Sequence, residues 1–143
     1  VVYVDVIEGP DHILKTLQRI GKIAPMNATG VGKALLESFS EEDLASVVKK
    51  GLPRITPQTI TTRKALLEEL AIVRERGYAT DDEECEIGVR CVAAPVRDYS
   101  GQAVAAISTS GPTGRMSDER MKQVATRIRE AASKISRELG SQE

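Results

Sequence analysis

The chain has 143 residues, enough for one domain with its own core, and its 41% hydrophobic and 29% charged residues exclude a disordered or fibrous protein. Twenty Lys and Arg against 21 Asp and Glu give a net charge of −1, whereas a domain that binds nucleic acid by itself is usually basic. No apolar run approaches the roughly 18 residues of a membrane-spanning helix.

The first 21 residues predict two strands. Val1–Ile7 is rich in Val and Ile and alternates loosely between apolar and polar residues. A Gly-Pro-Asp turn signal follows at positions 9–11, and His12–Ile20 reads as a second strand that Gly21 closes. We therefore expect a hairpin or meander at the start of the domain.

The middle of the chain predicts three helices. After Pro25 apolar residues recur three or four positions apart, which is the spacing of one helix face. Each helix is preceded by a Ser or Thr that can accept a hydrogen bond from its first turn. The predicted helices begin after Thr29, run over Glu41–Lys49 behind Ser40, and run from Thr62 to Arg76 with Gly77 as the C′ glycine.

Three further strands and one long helix follow. The strands are expected over Tyr78–Asp81, Gly88–Val96 and Gln102–Ser110. Residues 103–107 are apolar on both faces, which indicates a central strand covered on both sides. The last helix runs from the Ser117 cap to about Leu139, and its predicted buried stripe is Met121, Val124, Ile128, Ala131, Ile135 and Leu139. Strands, helices, strands and a helix in this order predict an α+β domain with an antiparallel sheet.

The segment Gly30-Val31-Gly32-Lys33 resembles a phosphate-binding loop but fails two tests. Asn27 stands where the first glycine is required, and Ala34 replaces the Ser or Thr that would bind Mg²⁺. Nucleotide binding is therefore not predicted. Two interpretations remain, because glycines at a helix start either expose backbone N–H groups to an anion or let the helix pack closely on the sheet.

Acidic residues crowd positions 81–84 and 86, a run that is usually a solvated loop. It lacks the spacing of a calcium loop. A metal site from His12, Asp81, Cys85 and Cys91 stays open as an alternative without a zinc-type spacing to support it. The two cysteines do not form a disulfide framework, and we expect reduced thiols.

Two hydroxyls lie on one face of the last predicted strand. Strand alternation puts Ser108 and Ser110 together, and hydroxyls on an apolar face need partners. They bond either a neighbouring backbone or a group in a small polar cavity, which Cys91 on the partner strand would also line. Cys91 is a candidate nucleophile, but the single histidine, His12, is distant in sequence.

Three segments together resemble the effector-binding domain of the IclR family of bacterial transcription regulators. They read NATGVGKALL, GYATDDEECEIGVRCVAAPVRD and AVAAISTSGP, and their order and spacing agree along nearly the whole chain. The resemblance implies a GAF-like fold, a curved antiparallel sheet with helices packed on it and a ligand pocket on one face. It implies that residues 1–143 are a single effector-binding domain and that an N-terminal winged helix-turn-helix domain is absent from this chain.

The resemblance also implies partners and a location. The expected partners are a small organic acid effector, DNA through the absent domain alone, and further copies of the chain in a homodimer or homotetramer. No cofactor and no membrane are expected, and the expected location is the cytoplasm. The bound state of such a domain alters the DNA affinity of the regulator.

Seven ligand-binding positions are carried over from the family. Gly30 and Val31 correspond to the helix-start backbone that meets the ligand carboxylate. Val31 departs from the Ala often found there, which narrows the pocket. The acidic, apolar and thiol positions correspond to Asp81, Val89 and Cys91, and the hydroxyl donors correspond to Ser108 and Ser110. An ionised Asp81 would repel a carboxylate, so it suits the far end of a ligand that carries a hydroxyl or keto group.

The residues and the resemblance leave three hypotheses for the function of this domain. The leading hypothesis is a ligand-sensing and oligomerising domain of a transcription regulator without catalytic activity. The second is a thiol-dependent hydrolase that uses Cys91. The third is an oligomerisation module with a vestigial pocket.

Overall fold

The computed structural model describes residues 1–9 and 20–142. Its main elements are four helices and one antiparallel sheet with the strand order β1-β2-β3. Their bounds are α1 Gly30–Leu36, α2 Glu41–Lys50, α3 Arg63–Arg76, β1 Ala79–Asp82, β2 Val89–Arg97, β3 Ala103–Pro112 and α4 Asp118–Glu138. Short 3-10 turns precede α1 and α4. The predicted α+β class with an antiparallel sheet is confirmed.

Each helix begins at the predicted cap. The hydroxyl oxygens of Thr29, Ser40, Thr62 and Ser117 accept a backbone N–H three residues further on. Gly77 ends α3 in the left-handed region with a φ of 76°, which a glycine adopts without strain.

The sheet separates two apolar layers. Alternation along β2 turns Cys91 and Ala93 towards α1, and it turns Val92 and Ala94 towards α4. A separate apolar cluster joins the three helices before the sheet. In it Leu36 at the end of α1 packs with Leu44 of α2 and with Leu66 and Leu70 of α3. The domain therefore has α4 on one face of the sheet and the other three helices on the opposite face.

The predicted first strand is wrong over most of its length. Among the described residues, Val2 forms one isolated antiparallel bridge with Ile23, and residues 4–9 have no regular secondary structure. The described pairing partner of this end is the segment at Gly21–Ile23, since the Tyr3 N–H donates to the Lys22 carbonyl and the Gly21 N–H donates to the Tyr3 carbonyl. Ile20 lies in a turn, and the rest of the predicted strand His12–Ile20 is outside the described residues.

Two details of packing also differ from the prediction. The central strand of the described sheet is β2 rather than β3, and Val104 of β3 is 52% exposed. Alanines are compatible with an edge strand as well as with a covered one, so the apolar run did not distinguish the two. In α4, Ile135 and Leu139 are exposed, and the buried stripe continues instead through Ala132 and Ser136. The 3.6-residue period moves the stripe by one position over this length.

Candidate functional site

A polar row crosses the sheet on the face that α1 covers. The register places Asp81 of β1 opposite Cys91 of β2, and Cys91 opposite Ser110 of β3. Ser108 lies opposite Ala93, two positions along and on the same face. Backbone pairing thus brings together four residues that lie up to 29 positions apart in the sequence.

Gly30 at the start of α1 lies directly over this row. A Cβ atom on Gly30 would be 3.2 Å from the Cys91 Sγ and 3.2 Å from the Ala93 Cβ. The Thr29 hydroxyl accepts the Gly32 N–H at 3.1 Å. Among the described residues no acceptor is found for the N–H groups of Gly30 and Val31, as is usual in the first turn of a helix.

The Val31 side chain lies in the core and does not line the cavity beside Asp81. It is 8% exposed and packs in an apolar cluster with Ala34, Val73, Ala79 and Ala93. Val31 therefore fixes the distance between α1 and the sheet.

The Cys91 thiol is buried and stays protonated. Burial raises its pKa to about 11, against hydrogen bonds from the Ser110 and Ser108 hydroxyls that lower it. A thiol with this pKa is a weak nucleophile at neutral pH. The protonation state of Cys91 thus argues against the hydrolase hypothesis.

Asp81 carries the second perturbed pKa of the row. Its Oδ1 accepts the Glu84 N–H at 2.8 Å and the Cys85 N–H at 3.2 Å. Burial is the largest influence and raises its pKa to about 6, although both hydrogen bonds lower it. The carboxyl group therefore gains or loses its proton close to physiological pH.

A cavity of about 220 Å³ opens beside this carboxyl group. Two of the predicted site residues, Asp81 and Val89, line it. Gly30, Val31, Cys91, Ser108 and Ser110 are not in its wall. The other lining residues are not among the predicted ligand positions, although Cys85 was a candidate metal ligand. They are Tyr3, Lys22, Ile23, Ala24, Pro25, Ile55, Cys85 and Glu86.

Lys33 points away from the cavity into a buried ion cluster. Its side chain is 1% exposed, and its Nζ lies 2.6 Å from the Glu84 Oε1 and 3.4 Å from the Glu69 Oε1. Burial raises the pKa of Glu84, and the positive charge of Lys33 is the largest influence that lowers it. Asp81 is buried as well, so the expected solvated loop is wrong for two of the five acidic residues.

The described residues give no metal centre. Residues 1–9 and 20–142 contain no group of three His, Cys, Asp or Glu side chains that could hold an ion. Cys85 and Cys91 are free thiols, and His12 is outside this part of the chain. No described helix is long and apolar enough to cross a membrane.

A larger groove of about 600 Å³ lies between α3, α4 and the end of β2. Its lining includes Arg74, Arg97 and Arg129 but none of the predicted site residues. Arg97 is already bound, since its Nη2 lies 2.6 Å from the Glu37 Oε1. We place the candidate site on the α1 side, where the polar row and the smaller cavity meet.

Comparison with known proteins identifies close relatives. The chain is 44% identical over 117 residues to the HTH-type transcriptional regulator BhcR of Paracoccus denitrificans, a match that covers 81% of this chain and 42% of BhcR. It thus spans less than half of that relative.

Two solved structures extend the comparison. The IclR protein of Thermotoga maritima superposes with a TM-score of 0.92 at 37% identity, covering 97% of this chain and 56% of that one. The inducer-binding domain of a double mutant of the transcription factor PobR from Acinetobacter, in complex with 3-hydroxybenzoic acid, gives a TM-score of 0.79 at 31% identity and covers 90% of this chain and 77% of that one. The relatives named are transcription regulators rather than enzymes.

The family model for the C-terminal domain of bacterial transcriptional regulators of the IclR type matches residues 1–137. The α+β architecture agrees with that of the solved family members. The chain therefore belongs to the IclR family and contains its C-terminal domain.

Proposed function

We propose that this domain senses a small carboxylate that carries a hydroxyl or keto group. The observation that supports the proposal most directly is the row of Asp81, Cys91 and Ser110 beneath Gly30, whose Asp81 end lines a cavity of about 220 Å³. Such a volume suits a small organic acid.

The two ends of the row favour different parts of such a ligand. The N–H groups of Gly30 and Val31 and the hydroxyls of Ser108 and Ser110 are donors, and a carboxylate accepts several such bonds. Asp81 is the acceptor at the other end, where it takes a hydrogen bond from a ligand hydroxyl. The complex of the related PobR domain with 3-hydroxybenzoic acid, which has both groups, supports this assignment.

The seven residues act as a binding surface rather than as catalysts. Val89 supplies an apolar wall of the cavity, and the protonated Cys91 thiol fills the centre of the row. The proposal therefore includes no chemical step.

We further propose how the signal reaches DNA. An N-terminal winged helix-turn-helix domain outside this chain contacts the operator, and the sensing domain holds two or four copies together. A ligand that favours one arrangement of the domains changes the spacing of the DNA-binding domains. A coupling free energy of about 1–3 kcal/mol changes operator affinity by about 5–150-fold.

A thermal-shift screen of this chain tests the proposal. Small hydroxy, keto and aromatic carboxylates are each compared with their amide. A ligand at 100 times its Kd adds about 2.7 kcal/mol to the free energy of unfolding, which raises the Tm by about 5–11 °C at this size. A shift with one acid and none with its amide supports a carboxylate sensor. No shift across the panel contradicts it and favours a pure oligomerisation module.

A further inference from the structure

A buried ion cluster lies behind the polar row, out of contact with the cavity. Lys33 of α1 is 1% exposed and is held by Glu84 at 2.6 Å and by Glu69 at 3.4 Å. Arg76 joins the same cluster, since its Nη2 lies 3.2 Å from the Glu69 Oε1. A buried ammonium group is costly unless it is paired, so Glu84 and Glu69 are the partners that stabilise the Lys33 charge.

The cluster holds more acid than base. With Asp81 included it has three carboxyl groups and two cations, which leaves one excess negative charge when all are ionised. The Glu84 Oε2 is buried and has no hydrogen-bond partner among the described residues. The Glu84 carboxyl group is therefore held mainly through its other oxygen, which lies 2.6 Å from the Lys33 Nζ.

The ion cluster adjoins the polar row, since the Glu84 N–H donates to the Asp81 Oδ1 at 2.8 Å and Lys33 lies one turn after Gly30 in α1. The charge of Lys33 lowers the pKa of Asp81 and of Cys91, while the charge of Glu84 raises the pKa of Asp81. Interactions of this kind are stronger inside a protein than in water, because the effective dielectric constant is lower. An anion bound on the row is subject to the same two charges.

We propose that Lys33 and Glu84 determine the specificity of the site for anionic ligands, without touching the ligand. The positive charge of Lys33 strengthens binding of an anionic acid relative to its neutral amide, and the negative charge of Glu84 weakens it. The balance of the two charges sets the ratio of acid affinity to amide affinity. This inference rests on the proposed function, since it concerns the same ligand site.

A purely structural role makes a different prediction. If the pair only holds α1 to the loop after β1, loss of Lys33 breaks the contact and weakens acid and amide alike, whereas Glu84→Gln keeps the contact and changes neither. If the pair acts through charge, the two removals change acid binding in opposite directions. The neutral amide then serves as an internal control for the shape of the site.

The experiment titrates this chain with glycolate, 3-hydroxybenzoate and their amides, followed by NMR shifts of residues in the row. The variants are Lys33→Met and Glu84→Gln. Lys64→Met and Glu68→Gln are matched controls, because that pair lies 4.0 Å apart on the exposed surface of α3. Loss of Lys33 is expected to weaken acid binding about tenfold, and loss of the Glu84 charge to strengthen it severalfold, with amide binding unchanged.

Each outcome decides between the two roles. Weaker acid binding in both variants, or equal changes for acid and amide, overturns the inference and leaves the proposed function intact. Saturable binding of neither acid contradicts the proposed function itself. If Lys33→Met does not fold, Glu84→Gln alone decides, since its amide oxygen still accepts from Lys33 and only the charge is lost.

Discussion

Gly30 and Cys91 approach so closely that a single methyl group on Gly30 would crowd the thiol sulfur at 3.2 Å. The contact joins the start of α1 to the central strand at the polar row. Gly32, two positions further along the same helix turn, has a different role. A Cβ there would overlap the Met26 Cα and carbonyl oxygen and lie 2.7 Å from the Met26 carbonyl carbon. Close packing of α1 on the sheet is therefore confirmed at Gly30, Gly32 packs on the turn before the helix, and anion binding by this helix start stays a prediction.

Gly32→Ala is expected to destabilise the domain severely. The methyl group meets backbone, which cannot move aside as a side chain does, so α1 must shift from the turn before it. We expect a loss of about 3 kcal/mol or more in the free energy of unfolding. Urea unfolding followed by circular dichroism measures it, and a loss below about 1 kcal/mol would contradict the close packing.

Gly30→Ala is expected to fold and to bind carboxylates less well. Its methyl group meets the Cys91 and Ala93 side chains, which yield by a few tenths of an ångström, so stability changes by no more than about 1 kcal/mol. The same methyl group occupies the space in which a ligand would approach the backbone. Calorimetry should show about tenfold weaker binding of an acid identified in the screen. Unchanged affinity would remove Gly30 from the site.

Ser110→Ala tests the hydroxyl donors. Loss of this donor is expected to weaken carboxylate binding by about 1–3 kcal/mol, because a ligand oxygen is left without its partner. Thr109→Ala is the matched control, since Thr109 is exposed and points away from the row. Equal affinities of the two variants, both folded, would exclude Ser110 from the site.

Asp81→Asn is expected to change the pH dependence of stability. The pKa of Asp81 is about 6 in the folded domain against a usual 3.8, so the folded state binds more protons between these values. The stability that this proton uptake gives is complete below about pH 3.8 and is lost as the pH rises through 6. Asn keeps an oxygen for the Glu84 and Cys85 N–H groups and has no charge to bury.

The free energy of unfolding of Asp81→Asn, relative to the parent, should therefore rise by about 1–3 kcal/mol between pH 4 and pH 8. Asp82→Asn provides the control, since its side chain is exposed and pairs with Arg90. A constant difference across this pH range would show that Asp81 is ionised without cost.

Local chemistry explains what could be predicted. A helix cap requires one hydroxyl and the N–H three residues later, so Thr29, Ser40, Thr62 and Ser117 were recognisable from the sequence alone. The sheet strands were found in the same way, from short apolar runs between turn residues. Strand alternation alone indicates Cys91 as a cavity residue, the family resemblance adds Asp81 as a ligand position, and the sheet register places the two side by side.

What was missed depends on contacts between distant segments. Neither Lys33 nor Glu84 shows in its own neighbourhood that it is buried, because they lie 51 positions apart and become buried only by pairing. Lys22 and Ile55 reach the cavity through loops with no regular pattern. Val104 is apolar enough for a covered strand and is nevertheless exposed, since burial depends on what lies opposite.

Ser136→Ala tests a contact of this long-range kind at the end of β2. The Ser136 Oγ accepts the Arg97 N–H at 2.8 Å and donates to the Ala132 carbonyl at 2.8 Å. It thereby joins α4 to the strand where β1 no longer pairs. Removing it leaves the Arg97 N–H without its acceptor, but the adjacent groove admits water, so we expect a loss of about 1 kcal/mol. Ser133→Ala, whose hydroxyl accepts only from Arg137 at the surface, should change stability by less than about 0.5 kcal/mol in the same urea titration. Equal losses in the two variants would mean that the hydrogen bond between Ser136 and Arg97 adds no stability and that α4 is held by its apolar contacts alone.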